Sequence, residues 1–364
     1  MNNELKTKLS QIDKLLESQS LDALLVQRVD NFAWLTAGAA SYVNTADGVG
    51  AASLLITPSG RYVLTNNIEA TRLRAEEKLE EQGWEFAVTD WYQAADDISR
   101  LTNGLKLGTD GISSGDADLN AALTTLRVVL LPEEQNRFRG LSQLCAHAMD
   151  AAIRQLKPGM SEFAIAAQLG AEAQRRGVQP IVNLIATDQR IYDFRHPLPT
   201  GKVLEKYAML VLCGRQYGLV CSITRLIHFG AMPAELKRKA QAVAEIDATM
   251  IAATRPGVSL GEIFQQTQAK YAELGFENEW QLHHQGGPAA YLPREGVATP
   301  GMETLVQDGQ AYAWNPSITG TKSEDTILVG TDGNDIMSVI PGWPLIEVDV
   351  DGKTISRPAT LEIT

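Results

Sequence analysis

The chain has 364 residues, of which 44% are hydrophobic and 21% charged, with 32 Lys and Arg against 44 Asp and Glu. This length accommodates two or three domains with buried cores, and the composition excludes an intrinsically disordered chain. A net charge of −12 with no block of Lys or Arg excludes nucleic acid and anionic membrane as partners. Cys145, Cys213 and Cys221 form neither a disulfide framework nor a metal-type pair, which suits a reducing compartment. The start, Met1-Asn2-Asn3-Glu4, lacks the basic-then-apolar pattern of a secretory leader. Apolar runs such as 208–213 are far too short to span a bilayer. A cytoplasmic protein is expected.

In chain order, Leu5, Leu9, Ile12 and Leu16 recur at helical spacing and predict an amphipathic helix. Residues 22–27 read as a short buried strand. Residues 51–56 and 61–65 flank Thr57-Pro58-Ser59-Gly60 and predict a hairpin. The stretches 86–89, 94–101 and 105–109 continue an α/β alternation. At Leu131-Pro132-Glu133-Glu134 the character changes. Proline suits the first position of a helix and acids suit its first turn, so a long helix to about Leu156 follows. The expected domains are 1–131 and 132–364.

The later domain carries an internal repeat. Lys157-Pro158-Gly159-Met160-Ser161 matches Arg255-Pro256-Gly257-Val258-Ser259, with the prolines 98 residues apart. Each turn joins two helices, and the second helix ends at a glycine 18 residues after the turn glycine, Gly177 and Gly275. A duplicated unit implies a pseudo-two-fold domain with a cleft between its halves. Short strands at 346–350 and 353–355 surround Asp351-Gly352 near the end.

The chemistry-bearing residues cluster late in each repeat. His196 lies in Asp193-Phe194-Arg195-His196-Pro197-Leu198-Pro199-Thr200, where the prolines exclude helix. His283 and His284 open His283-His284-Gln285-Gly286-Gly287-Pro288, a stretch where glycine lets backbone approach a ligand. Tyr291, Arg294 and Glu295 follow, then Trp314-Asn315-Pro316-Ser317 and Lys322-Ser323-Glu324-Asp325-Thr326. Each of these could be structural on its own; together they indicate a site.

These segments resemble the pita-bread family of creatinase, prolidase-like aminopeptidase P and methionine aminopeptidase. His196-Pro197-Leu198-Pro199-Thr200 with Lys202-Val203-Leu204 resembles the segment of the family's catalytic histidine. Gly214, Gly218 and Ser222-Ile223-Thr224-Arg225 resemble the paired strands ending in Asp-x-Thr-Arg. His284-Gln285-Gly286-Gly287 resembles His-Gly-x-Gly, Asn315-Pro316 stands where the family has Glu-Pro, and Glu324-Asp325-Thr326 matches Glu-Asp-Thr. The resemblance implies an α/β (α+β) architecture: a creatinase-type N-terminal α/β domain, then a pseudo-two-fold pita-bread domain. It also implies a homodimer. In this family the N-terminal domain of one subunit often closes its partner's site, a role that would fall to the loop 38–44.

The family's peptidases hold two divalent metals with two Asp, one His and two Glu. By resemblance those positions become Leu212, Ser222, His284, Asn315 and Glu324, of which only His284 and Glu324 keep a ligand. Without carboxylates to bridge and neutralise the ions, no metal pair and no cofactor is expected; a single ion on His284, His283 and Glu324 is the residual alternative. Creatinase hydrolyses a C–N bond on this fold with histidine, glutamate and arginine and no metal. The resemblance therefore implies His196 as general base and acid, Glu324 as its orienter, and Arg294 as a carboxylate clamp. Tyr291 and His284 become oxyanion donors, and His283, Asn315 and Arg225 line the substrate. Arg225 has a structural alternative behind the site. Cys213 and Cys221, in apolar strands, read as inert thiols.

The reading is a metal-independent, creatinase-like hydrolase cleaving a C–N or related bond in a small amino-acid-derived substrate. One alternative is a non-catalytic pseudo-peptidase that binds a small molecule or peptide. Another is an atypical metallopeptidase of the Xaa-Pro aminopeptidase type.

Overall fold

A computed structural model describes residues 3–363. Met1 and Asn2, part of the polar start noted above, lie outside the described residues. Two compact units emerge, Met1–Glu133 with Tyr217–Leu219, and Glu134–Gln216 with Val220–Thr364.

The first unit runs α1 (Asn3–Gln19), β1 (Ala23–Arg28), α2 (Val29–Leu35), β2 (Val49–Thr57), β3 (Gly60–Asn66), α3 (Ala70–Ala75), β4 (Glu85–Thr89), α4 (Asp97–Leu101), β5 (Leu107–Thr109), β6 (Ala117–Asp118) and α5 (Asn120–Arg127). One mixed sheet takes the order β4-β3-β2-β1-β5-β6. Central β1 buries Leu24, Leu25 and Val26, as a strand covered on both faces must. The hairpin closes with Thr57 paired to Gly60. In α1 the apolar stripe of Leu5, Ile12 and Leu16 is buried, and Lys8 joins it by bonding Glu4 at 2.7 Å. The helix expected over 94–101 is shorter, since only Asp97–Leu101 is helical.

From α6 (Pro132–Ile153) the chain continues through α7 (Glu162–Gln174), β7 (Gln179–Thr187), α8 (Gln189–Asp193), β8 (Tyr207–Gln216), β9 (Leu219–Phe229), α9 (Ala234–Ala253) and α10 (Leu260–Glu273). Then come β10 (Gly286–Ala289), β11 (Ala311–Trp314), β12 (Ser317–Ile318), β13 (Thr321–Lys322), β14 (Asp325–Leu328), β15 (Asp335–Ile336), β16 (Leu345–Val350), β17 (Lys353–Pro358) and β18 (Leu361–Ile363). The two four-stranded sheets take the orders β18-β9-β8-β7 and β10-β11-β14-β15.

The repeated turns form the same bonds in both halves. The Ser161 hydroxyl caps α7 by accepting from Ala164 N–H, and Ser259 caps α10 in a capping box with Glu262. Gly159 N–H donates to Leu204 O at 2.8 Å, and Gly257 N–H to Val306 O at 2.9 Å. The stop residues Gly177 and Gly275 have φ of +71° and +77°, which a side chain resists.

The half-sheets join at β9 and the start of β14. Thr224 N–H donates to Glu324 O at 3.2 Å. The Thr326 hydroxyl donates to Ser222 O and accepts from Ser222 N–H, both at 2.9 Å. This seam places Ser222, Thr224 and Glu324 side by side. Among the described residues no helix is long and apolar enough to cross a membrane.

Candidate active site

The hairpin of β8 and β9 determines which side chains reach the seam. Tyr217 and Gly218 have φ of +52° and +76°, the pattern of a two-residue turn matched to strand twist. Counting back from that turn sets Cys213 opposite Ser222 and Tyr207 opposite His228. Cys213 Sγ lies 3.3 Å from Ser222 Oγ, and the Tyr207 and His228 rings are 5.6 Å apart. Leu212 therefore faces the other way. It shares its face with Gly214, where an added Cβ would come within 2.5 Å of Cys145 Sγ. The assignment of Leu212 to a ligand position is thus corrected: Cys213 occupies that face. Burial pushes the Cys213 thiol up to about 11, so it stays protonated at neutral pH.

Glu324 is the centre of the site. One oxygen accepts from Arg294 Nη2 at 2.8 Å; the other accepts from the Thr224 hydroxyl at 2.5 Å and Lys322 Nζ at 2.8 Å. Burial would raise this carboxyl, but Lys322 and Arg294 outweigh burial and hold it well below the usual carboxylate range. The expectation that Glu324 orients His196 is corrected, because its oxygens are bonded to these donors. The hydrogen-bond partner of His196 is His283, with the two Nε2 atoms 3.0 Å apart.

Arg294 is not an open fork. Besides Glu324 it donates through Nη1 to Ser222 Oγ at 3.1 Å and Pro293 O at 2.6 Å, while its Nε is buried without a hydrogen-bond partner among the described residues. Tyr291 as oxyanion donor is corrected as well: its hydroxyl donates to Glu134 Oε1 in the first turn of α6 at 2.5 Å. Arg225 takes its structural alternative. It lies on the Leu212 face, donating to Asp325 at 2.8 Å and to the carbonyls of Thr224 and Ser338. Asp325 also accepts from Arg357, which in turn holds Asp247 at 2.7 Å. Asn315 lies buried with Oδ1 unpaired among the described residues, its N–H donating to Gln285 O.

The three histidines form one cluster. His283 stacks on His284 with centroids 4.4 Å apart, and His196 meets them at 4.8 and 5.6 Å. Their ligand atoms lie within 4.8 Å of one another, making them, among the described residues, the group of His, Cys, Asp or Glu able to surround an ion. Burial lowers all three pKa values, reinforced by Lys322 at each and by Arg294 at His196 and His284, with His284 pushed down to about 4 and His283 to about 2. All three are neutral imidazoles at pH 7. Sequence reasoning assigned no role to Lys322. The available signal was its two-residue spacing from Glu324, which in extended chain puts both on one face.

The model of metallopeptidase family M24 matches residues 136–331, more than half of the chain. The chain belongs to metallopeptidase family M24. Its fold is that of the family's prolidases, an N-terminal α/β domain followed by the pita-bread domain. The prolidase of Pyrococcus horikoshii OT3 superimposes with a TM-score of 0.78 at 18% identity, covering 93% of this chain and 99% of that one. The Xaa-Pro dipeptidase of Bacillus anthracis gives 0.78 at 18%, covering 99% and 100%. In sequence, the chain is 27% identical over 154 residues to the agropine synthesis cyclase of Rhizobium rhizogenes, 39% of each protein. The chain spans about two fifths to two thirds of the length of the curated relatives it matches.

Two outcomes test this M24 site. Glu324→Gln leaves Arg294 and Lys322 buried beside a neutral group and is expected to cost about 3–5 kcal/mol in urea denaturation. The depressed histidines set a pH dependence. The unfolded chain protonates them near pH 6.5, whereas the folded chain resists until about 4 at His284 and about 2 at His283. Their contribution is full above roughly pH 6.5 and is lost as pH falls. The urea midpoint should drop from about pH 6.5 towards 4, and less steeply in His284→Gln.

Proposed function

We propose that this M24 chain is a hydrolase that cleaves a C–N bond in a small, anionic, amino-acid-derived molecule without paired metal ions. The observation carrying the reading is the pairing of Glu324 with Arg294 and Lys322, both at 2.8 Å. A pair of divalent ions does not fit this donor set. Cys213 is a protonated thiol, Ser222 and Asn315 are neutral, and the one carboxylate already faces two fixed cations. At about 4 Å and an effective dielectric of about 20, each such cation repels a divalent ion by on the order of 8 kcal/mol. The same excess of positive charge suits a substrate carboxylate.

In this reading His196, the exposed member of the cluster, takes a proton from water as a neutral imidazole. The water oxygen bonds to the carbon and the C–N bond breaks. The imidazolium returns the proton to the departing nitrogen. The net positive charge that Arg294 and Lys322 leave around Glu324 attracts the substrate's anionic group at a distance, and His284 faces the developing oxyanion.

A second reading is favoured by the likeness to the agropine synthesis cyclase. There a nucleophile of the substrate itself replaces water, and His196 performs the same proton transfers.

The test is a screen of guanidino, ureido, amidino and N-substituted amino acids, followed by His196→Ala. Turnover is expected to fall by about 10²–10⁴-fold with ligand affinity kept. Retained turnover would exclude His196. Product formed in H₂¹⁸O should carry the heavy oxygen, whereas a cyclised product without it favours the second reading. Elemental analysis of protein purified without chelator should find well under one divalent ion per chain; two ions on which activity depends would restore the metallopeptidase.

A further inference from the structure

His283 performs no step in the reading above, yet its position is the most constrained of the three histidines. Its ring is buried and stacked on His284, and its Nε2 sits 3.0 Å from His196 Nε2. At that distance the two nitrogens share one hydrogen, so one ring donates and the other accepts. His283 also lines a cavity of about 10 Å³ with Ile191, Arg195, Met209, Ser317 and Lys322, the room of a single water. Three buried polar atoms of that lining, His283 Nδ1, Ser317 Oγ and Arg195 Nε, have no hydrogen-bond partner among the described residues. Buried polar groups are almost always paired, so an unpaired trio around one small cavity marks a hydration site. Arg195 Nε–H and a His283 Nδ1–H would both be donors to a water at this place, and Ser317 Oγ an acceptor from it.

We propose that His283 is the positioning residue of His196, accepting a hydrogen bond from His196 Nε2–H so that His196 presents a bare Nδ1 as its basic nitrogen. The direction rests on the functional reading above. Were His283 the donor, His196 would carry its hydrogen on Nδ1 and have its Nε2 lone pair occupied, leaving none for a proton. In the proposed direction His196 gains a proton on Nδ1 while the Nε2–H bond to His283 persists and strengthens. His283 thus does for His196 what a carboxylate does elsewhere, fixing tautomer and ring orientation. It does so without adding negative charge beside Glu324.

The experiment is nitrogen NMR of the full chain labelled with ¹⁵N-histidine near neutral pH, with resonances assigned by single substitutions. The wild type is expected to show His196 in one tautomer, protonated at Nε2 and bare at Nδ1. His283→Phe keeps the ring shape without a nitrogen, and should convert His196 to a mixture of tautomers. His283→Gln offers an amide oxygen near the lost Nε2 and should restore the single form. Any other protonation pattern of wild-type His196, or an unchanged one in folded His283→Phe, overturns the proposal. The wild-type spectrum decides even where a variant does not fold. The readout needs no substrate, so this inference and the hydrolase reading fail separately: loss of turnover in His196→Ala with the wrong tautomer removes only the role of His283.

Discussion

A buried carboxylate between two fixed cations governs the chemistry of this molecule. Glu324 retains its charge because Arg294 and Lys322 compensate its desolvation, and Thr224 completes its hydrogen bonding. The excess of positive charge then acts on everything nearby. Along with burial, it keeps His196, His283 and His284 neutral. Such a centre favours anions and neutral bases.

The scaffold places that centre where its two halves meet. The matched turns, with Ser161 and Ser259 as caps, fold each half in the same way. The halves are then joined by backbone and hydroxyl bonds at Ser222, Thr224, Glu324 and Thr326. A short tie between strands is stiffer than a loop, and proton transfer requires donors held to within fractions of an ångström. His196 and His283 reach the seam from irregular segments and hold one another by their own bond.

Much of the fold was readable because its signals are local. Pro-Gly turns, serine caps and glycine stops report backbone geometry within a few residues, and both copies of the repeat carried them. His196, His283 and His284 stood out because prolines and glycines surround them, and Glu324 because Glu324-Asp325-Thr326 resembles the family's Glu-Asp-Thr. The errors came from long-range geometry. Leu212 was placed by resemblance to the family's paired strands, but Tyr217 joins Gly218 in the left-handed region, and the resulting register turns Leu212 away and Cys213 inward. In a strand, a slip of one residue reverses the face. Tyr291 and Arg225 have side chains suited to substrate, but their partners, Glu134 and Asp325, lie 157 and 100 positions away. Nothing in the sequence around either residue names those partners.

The charge chain behind the seam has a consequence for how the protein can be handled. Asp325, the neighbour of Glu324, is neutralised from opposite directions by Arg225 on β9 and Arg357 on β17. The closing strands are therefore part of the foundation of the reactive centre. A shortened version ending ahead of residue 357 would leave two aspartates, Asp247 and Asp325, without that guanidinium in the interior. Trimming intended to isolate the pita-bread core has to preserve this C-terminal segment.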